Sequence, residues 1–150
     1  MSQKPTSGRS KRVFISRAGW FSLHYPSGWD IEEEEYVAVY NPKEGVGALH
    51  ISAYQAPESV DPKAELMELM SKENREVKLE HIETSIDGTK TVASYESVSA
   101  ECFEKAWFVG DGSYLLIATY NCDVEDKQKE LSKIEDIISS IKIAPKLSRN

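Results

Sequence analysis

The chain has 150 residues, of which 40% are hydrophobic and 29% are charged, and its formal net charge is −7. A chain of this length forms one domain and buries enough surface to fold without a disulfide or a metal, and the composition excludes a disordered protein. No run of apolar residues approaches the roughly 18 that a membrane span requires, so the sequence predicts no membrane segment.

Charge is distributed unevenly along the chain. The first twelve residues contain four basic side chains and no acid and therefore carry +4, so residues 13–150 must carry −11 to give the net charge of −7. Such a negative domain repels phosphates, which argues against nucleic acid as a partner. The basic start has no apolar stretch of the kind found in a signal peptide, and we therefore expect a cytoplasmic protein with no membrane partner.

Three regions are predicted from these patterns. Residues 1–12 are rich in Ser, Gly, Pro and Lys and are expected to form a disordered basic tail. Residues 13–143 are expected to form a single domain, and residues 144–150 a C-terminal tail.

The first part of the domain predicts four strands. Residues 13–15 and 20–25 flank Arg17-Ala18-Gly19, which is typical of a tight hairpin, and Pro26-Ser27-Gly28 ends the second strand. Residues 36–40 and 46–54 form the next two strands and are joined by a turn. The alternation of apolar and polar residues in the second strand indicates that one of its faces is buried.

The remaining part predicts two helices separated by four strands. Asp61 and Pro62 are typical of a helix start, and that helix is expected to end near Lys72. Strands are predicted at 77–86, 89–98, 101–109 and 113–121. A second helix over 124–141, with Asp123 as its N-cap, is predicted from one apolar stripe made by Leu131, Ile134, Ile137, Ile138 and Ile141.

These elements predict an α+β fold. Most links between strands are too short to cross over a sheet, so the pairing must be mostly antiparallel. Each helix has one apolar stripe to bury, and both must therefore pack on a face of the sheet. We expect a mostly antiparallel sheet flanked by two helices.

Residues 21–29, Phe-Ser-Leu-His-Tyr-Pro-Ser-Gly-Trp, resemble the opening aromatic strand, proline and Gly-Trp of the PsbP/DcrB-like superfamily, which includes the Mog-like proteins. The Ile51-Ser52 strand, the Trp107 hairpin and the final helix at 137–141 are similar in order and spacing. The resemblance implies an α/β/α sandwich and mostly non-catalytic roles: photosystem accessory proteins, lipoproteins, secretion chaperones and protein-binding modules. The sequence shows neither the lumenal transit peptide nor the lipoprotein cysteine of the family, so we expect it to depart from the photosynthetic and envelope members.

The sequence contains no recognisable catalytic motif, and we predict neither an enzyme nor a cofactor. Gly45-Val46-Gly47 does not continue into a phosphate-binding pattern, and no serine has the context of a nucleophile elbow. His24, His50 and His81 fall on three predicted strands, so we do not predict a metal site.

The two cysteines lie on neighbouring predicted strands. Residue 102 is expected to face position 120 or 121, so Cys122 lies within one residue of being opposite Cys102, and a slip of that one position would permit a disulfide. We expect two reduced thiols, as in most cytosolic proteins.

One segment stands out as a candidate binding site. Glu32, Glu33, Glu34 and Glu35 place four carboxylates between two aromatic residues, and the nearby anchors would be Trp29, Tyr36 and Tyr40. A solvated strand edge is the alternative explanation for the acids, and a buried core position is the alternative for the aromatics.

Three functions remain open from the sequence. The first is a non-catalytic, bacterial-type protein-binding module, such as a secretion chaperone, an immunity protein or an adaptor, whose partner has a basic surface. The second is a small-ligand-binding domain with a pocket between helix and sheet. The third is an enzyme with an unrecognised site. The sequence leaves the oligomeric state open.

Overall fold

The computed structural model describes residues 11–73 and 81–143. The strands in this part of the chain are β1 (Lys11–Ile15), β2 (Phe21–Pro26), β3 (Asp30–Glu33), β4 (Val37–Tyr40), β5 (Gly47–Gln55), β6 (Glu83–Asp87), β7 (Lys90–Ser99), β8 (Cys102–Asp111), β9 (Tyr114–Asp123) and β10 (Lys142–Ile143). The helices are α1 (Pro62–Lys72), after β5, and α2 (Lys127–Ser140), after β9 and a 3-10 turn at Val124–Asp126.

Two sheets make up the β structure, and every described strand pair is antiparallel, as predicted. The large sheet has seven strands in the order β3-β4-β5-β9-β8-β7-β6, and the small sheet has three in the order β1-β2-β10. Short links join the neighbours that are consecutive in the chain, because an antiparallel pair needs only a turn, whereas β5 pairs with β9 across α1 and three described strands.

One face of the large sheet is covered by α2 and by the small sheet. Alternate residues of β8 and β9, among them Trp107 and Leu116, point to this face and are buried against α2 and β2. The predicted stripe of α2 supplies Ile134, Ile137, Ile138 and Ile141 to this core, whereas Leu131 is only partly buried at its edge.

The opposite face carries α1. Leu66 and Met70 of the helix pack with Phe108 of β8 and Leu115 of β9. Both side chains point away from the face that α2 covers. Asp61 caps the helix as predicted, since its carboxylate accepts a hydrogen bond from the Lys63 backbone N–H at 3.2 Å. The molecule is therefore an α+β sandwich with a helix on each side of the large sheet.

The strand that packs beneath the start of α1 requires a glycine. A Cβ built at Gly110 of β8 would lie 2.7 Å from Cγ of Pro62 and 2.9 Å from a methyl carbon of Val60. The absence of a side chain at Gly110 lets the first turn of α1 approach the sheet.

The structure corrects several predicted boundaries. Lys11 and Arg12 pair with β2 and belong to the domain instead of the tail. The strands β3 and β10 were not predicted, and Asp123 makes no capping hydrogen bond through its side chain, because a 3-10 turn separates it from α2. Residues 1–10, 144–150 and the first part of the predicted 77–86 strand lie outside the described residues.

Neither helix in the described part of the chain combines the length and the apolar character that a membrane crossing needs.

Candidate protein-binding surface

The large sheet leaves part of one face uncovered. α1 packs on β7 and β8, and at the other end of the same face, formed by β3, β4 and β5, the side chains are exposed or half-buried in the described part of the chain. Register shows which residues share this face: Glu32 lies opposite Ala38, Ala38 opposite His50, and His50 opposite Thr119. We call it the open face; the side chains used below are Glu32, Tyr36, Tyr40, His50 and Tyr54.

Tyrosines dominate the open face. Tyr36 is 48% exposed and Tyr54 is 51% exposed, and Tyr40, the last residue of β4, is half-buried. The ring of Tyr36 meets the His50 imidazole edge-on, with 5.1 Å between the ring centroids. Each ring thus presents apolar surface together with a polar atom at its edge.

Glu32 lies on the open face beside these rings. The Tyr40 hydroxyl donates a hydrogen bond to Glu32 Oε2 at 2.5 Å, across the β3–β4 pair. This hydrogen bond, followed by burial and the negative charges of Glu32 and Asp30, raises the pKa of Tyr40 above its ordinary value. One carboxylate of the predicted site is therefore fixed next to one of its predicted aromatic residues.

Glu33 points away from the open face. Its carboxylate accepts hydrogen bonds from the Arg17 backbone N–H at 2.9 and 3.2 Å, and the Arg17 guanidinium donates to the Glu33 carbonyl oxygen at 2.9 Å. These contacts join the β1–β2 turn to β3. Glu33 is engaged within the molecule and is not presented to a partner as Glu32 is.

Glu34 and Glu35 are exposed in the turn between β3 and β4. The Glu34 backbone N–H donates to the Tyr36 carbonyl at 2.9 Å, which closes this turn. Together with Tyr36 and Trp20 the two acids line a groove of about 160 Å³ between the β1–β2 and β3–β4 turns. The glutamate run therefore extends from the open face around the hairpin tip into this groove.

Trp29 does not belong to the surface. It is 7% exposed and lies in the main core, so its prediction as a surface anchor is not supported by its position. The cause is the turn before it: Gly28 has φ +95°, a conformation that favours glycine, and the Trp29 N–H donates to the Pro26 carbonyl at 3.1 Å. This turn directs the indole inward.

His50 and Tyr54 were not predicted as site residues. The period of two along β5 separates the buried Leu49 and Ile51 from His50 and Tyr54. This alternation was visible in the sequence, but it does not reveal which of the two faces a helix covers.

The three histidines lie apart. His24 is on the small sheet, His50 on the open face and His81 just before β6. Residues 11–73 and 81–143 contain no group of three metal-ligating side chains placed to hold an ion.

The two cysteines are on opposite faces of the sheet. Cys122 lies opposite Phe103, and Cys102 lies opposite Asp123, so the two are one register position apart. Neighbouring positions along a ladder project to opposite sides, and Cys102 is exposed while Cys122 is buried. Both thiols are unpaired.

This sandwich is similar to solved structures. The solution structure of cyanobacterial PsbP (CyanoP) from Synechocystis sp. PCC 6803 matches with a TM-score of 0.66 and 13% identity, over 89% of this chain and 92% of that one. A crystal structure from Bacteroides thetaiotaomicron VPI-5482 matches with a TM-score of 0.68 and 21% identity, over 92% of this chain. This chain spans 49% of that Bacteroides chain. The PsbP-like fold predicted from residues 21–29 is confirmed.

The chain belongs to the family described as Domain of unknown function (DUF3805), whose sequence model matches residues 9–149. No curated protein matches the sequence.

Proposed function

We propose that this domain is a non-catalytic protein-binding module of bacterial type, and that its open face and acidic hairpin tip bind a partner with a basic surface. The observation that carries the proposal is the grouping of Tyr36, Tyr40 and Tyr54 with Glu32 on a sheet face that α1 leaves uncovered. Secretion chaperones, immunity proteins and adaptors all have this kind of activity.

The energetic argument starts from the tyrosines. Each ring buries a large area on binding and has few rotatable bonds to order, and its hydroxyl can still form a hydrogen bond at the rim. Tyrosine is accordingly enriched among the residues that dominate binding energy. Tyr36 and Tyr54 have about half of their surface available for a partner.

Charge determines the class of partner. Glu34 and Glu35 are exposed at the hairpin tip, Glu32 borders the tyrosines, and residues 13–150 carry −11. A basic surface would be steered toward this edge, which raises the association rate more than the final affinity. Arginine or lysine side chains of the partner would also find the aromatic faces of the groove and of the open face.

We place this activity in the cytoplasm. Two unpaired cysteines that lie on opposite faces of the sheet support this location, since oxidising compartments favour paired cysteines.

The test is capture of a partner from a lysate of the source organism by three immobilised proteins. These are the wild type, a Tyr36→Ser/Tyr54→Ser variant, and an Ile86→Ser/Val98→Ser control that changes exposed apolar residues near the other end of the sheet. We expect a protein with a basic surface that the wild type and the control retain and the tyrosine variant loses. Circular dichroism and thermal melting should show that all three are equally folded.

A partner that binds the tyrosine variant as well as the wild type would contradict the proposed surface. An enzymatic activity that depends on residues of the open face would contradict the non-catalytic assignment.

A further inference from the structure

A second concave site lies on the other side of the molecule from the open face. It is a cleft of about 430 Å³ between the end of β2, the turn after β4 and α2. This volume is within the range of small-molecule sites, which is roughly 300–1,000 Å³. No residue of the open face contributes to it.

Three lysines from separate elements converge on the cleft. Lys11 comes from β1, Lys43 from the turn after β4 and Lys133 from α2. All three are exposed at the rim, and none forms an ion pair with another described residue. Unpaired cations that meet at one cleft are unexpected on a domain whose overall charge is strongly negative.

The cleft also contains two carboxylates, Glu44 and Asp136. With the three lysines the formal sum is +1. The lysines can attract an anion, while the carboxylates can accept hydrogen bonds from hydroxyl or amino groups elsewhere on the same ligand.

Apolar side chains form the floor. Tyr25, Trp29 and Ile137 line the cleft and are 8%, 7% and 1% exposed, so each is held by the core on its other sides. A flat ring can rest on the exposed edge of such a floor. Trp29 is buried away from the open face and lies instead in the floor of this cleft.

The two walls of the cleft are fastened together. The His24 backbone N–H donates to Ser140 Oγ at 2.8 Å, and Ser140 Oγ lies 2.7 Å from the Ile137 carbonyl oxygen, to which it donates. This contact fixes the end of α2 against β2. The β2 and α2 walls of the cleft are therefore preformed, which reduces the entropy lost on binding.

We propose that this cleft binds a small phosphate ester that carries a flat ring. Lysine binds phosphate as a point charge, and a phosphate monoester, which carries more negative charge than a carboxylate, is the better match for three converging lysines. The phosphate lies among Lys11, Lys43 and Lys133, and the ring lies over Tyr25 and Trp29. The site is separate from the open face and does not depend on the proposed protein partner.

Phenyl phosphate is the probe for the test. It is titrated into the ¹⁵N-labelled full chain at low salt, and amide and indole N–H shifts are followed by NMR. We expect saturable shifts at Gly28, at the Trp29 indole and in α2 around Lys133. Inorganic phosphate should bind about tenfold more weakly, because it lacks the ring and its apolar contact. Benzoate should also bind more weakly, because it carries less charge.

Variants locate the anion. Lys43→Gln/Lys133→Gln should weaken phenyl phosphate binding at least about fivefold, as expected for the loss of two partly solvated charge pairs. Lys63→Gln/Lys72→Gln removes the same charge on α1, on the opposite face of the sheet, and should leave the affinity unchanged.

Several results would overturn the proposal. These are an absence of saturable shifts at the cleft, equal weakening by both double variants, or equal binding of phenyl phosphate and inorganic phosphate. Equal binding of benzoate would overturn the assignment to phosphate. The ¹H-¹⁵N spectra of the free variants report whether each is folded.

Discussion

Tyr120 and Glu130 form a buried hydrogen bond beneath the first turn of α2. The Tyr120 hydroxyl donates to Glu130 Oε1 at 2.9 Å, and the two residues are 0% and 5% exposed. The other oxygen, Glu130 Oε2, is buried and has no partner among the described residues. The start of α2 is thus held against the sheet by the Glu130 carboxylate, for which Tyr120 is the hydrogen-bond donor.

Tyr120→Phe removes that donor and leaves a buried carboxylate without it. We expect the free energy of unfolding to fall by about 1–3 kcal/mol, since an unsatisfied buried group bears its full desolvation cost. The double variant Tyr120→Phe/Glu130→Met should be more stable than Tyr120→Phe alone, because it no longer buries a carboxylate. Urea denaturation measures both, and a Tyr120→Phe loss within about 0.5 kcal/mol would contradict the assigned role.

A second carboxylate of α2 meets the sheet at Lys105. The ammonium of Lys105 is 2.6 Å from Glu135 Oε2 and 3.4 Å from Glu96 Oε2, and its side chain is 8% exposed. Burial opposes the charged form, but the hydrogen bond to Glu135 and the two negative charges outweigh it, so the pKa of Lys105 is raised. Burial and the bond to Glu130 likewise raise the pKa of Tyr120.

These shifts predict a loss of stability in alkali. A group whose pKa is higher in the folded state than in the unfolded state contributes stability below its unfolded value, about 10 for both residue types, and loses it as the pH rises through the folded value. Lys105→Met should therefore flatten the fall in unfolding free energy that begins above about pH 10. Lys90, whose pKa is lowered by burial, acts in the opposite sense, so the comparison must be made against the wild type at each pH. Equal slopes for the two proteins would contradict the assignment.

The apolar stripe of α2 gives a graded prediction. Ile138 is 4% exposed in the main core, so Ile138→Ala should cost about 2–5 kcal/mol. Leu131→Ala should cost less, because Leu131 is only partly buried, and Ser139→Ala at an exposed position should stay within about 0.5 kcal/mol. The order of the three losses in urea denaturation checks the packing of the helix, and a loss for Ile138→Ala no larger than that for Ser139→Ala would refute it.

The elements predicted from the sequence are those with a strong local pattern. The α2 stripe and the β1–β2 hairpin follow from the spacing of apolar residues and from turn residues, and both are present. The strand β3 was missed because Glu32 and Glu33 have low strand propensity, and it forms through pairing with β4 and the contacts from Tyr40 and Arg17. The strand β10 has two residues and follows from its pairing with β2. Strands that form through such tertiary contacts show no periodic pattern of apolar residues in the sequence.

Only part of the candidate site was predicted, because the exposure of its side chains also depends on tertiary packing. Tyr36 and Tyr40 are placed together with Glu32, but nothing in the sequence distinguishes them from Trp29, which is buried. The Gly28 turn directs Trp29 into the core on the α2 side, whereas the exposure of Tyr36 and Tyr40 depends on the position of α1 at the other end of their sheet face. That position is determined by packing around Gly110 and cannot be found from local composition.

The two thiols should differ in reactivity. Cys102 is exposed, whereas Cys122 is buried and burial raises the pKa of its thiol, which disfavours the reactive thiolate. We expect one thiol of the folded protein to react rapidly with a chromogenic disulfide reagent and the second to react only after denaturation. Cys102→Ser should abolish the fast phase and leave the slow one. Two fast thiols, or none after denaturation without reductant, would contradict this arrangement.

The glutamate run should act on association kinetics through its exposed members. Glu34 and Glu35 are free to attract a basic partner, whereas Glu33 is bonded to Arg17 and contributes to the joint between the β1–β2 turn and β3. Glu34→Gln/Glu35→Gln should therefore slow association several-fold at low salt and flatten its salt dependence, with little change in dissociation. Glu33→Gln should instead lower stability by up to about 1 kcal/mol, as expected for a partly exposed ion pair.

The control for this last prediction is Asp123→Asn/Glu125→Gln, which removes two exposed acids near the start of α2. Its association rate should stay closer to the wild type, because attraction between exposed charges is screened beyond roughly 8 Å at physiological salt. Stopped-flow rates with the captured partner at low and high salt measure the effect. Equal slowing by the two double variants would show that total charge, and not the hairpin tip, steers the partner. Unchanged rates in both would make the glutamate run a solvated strand edge.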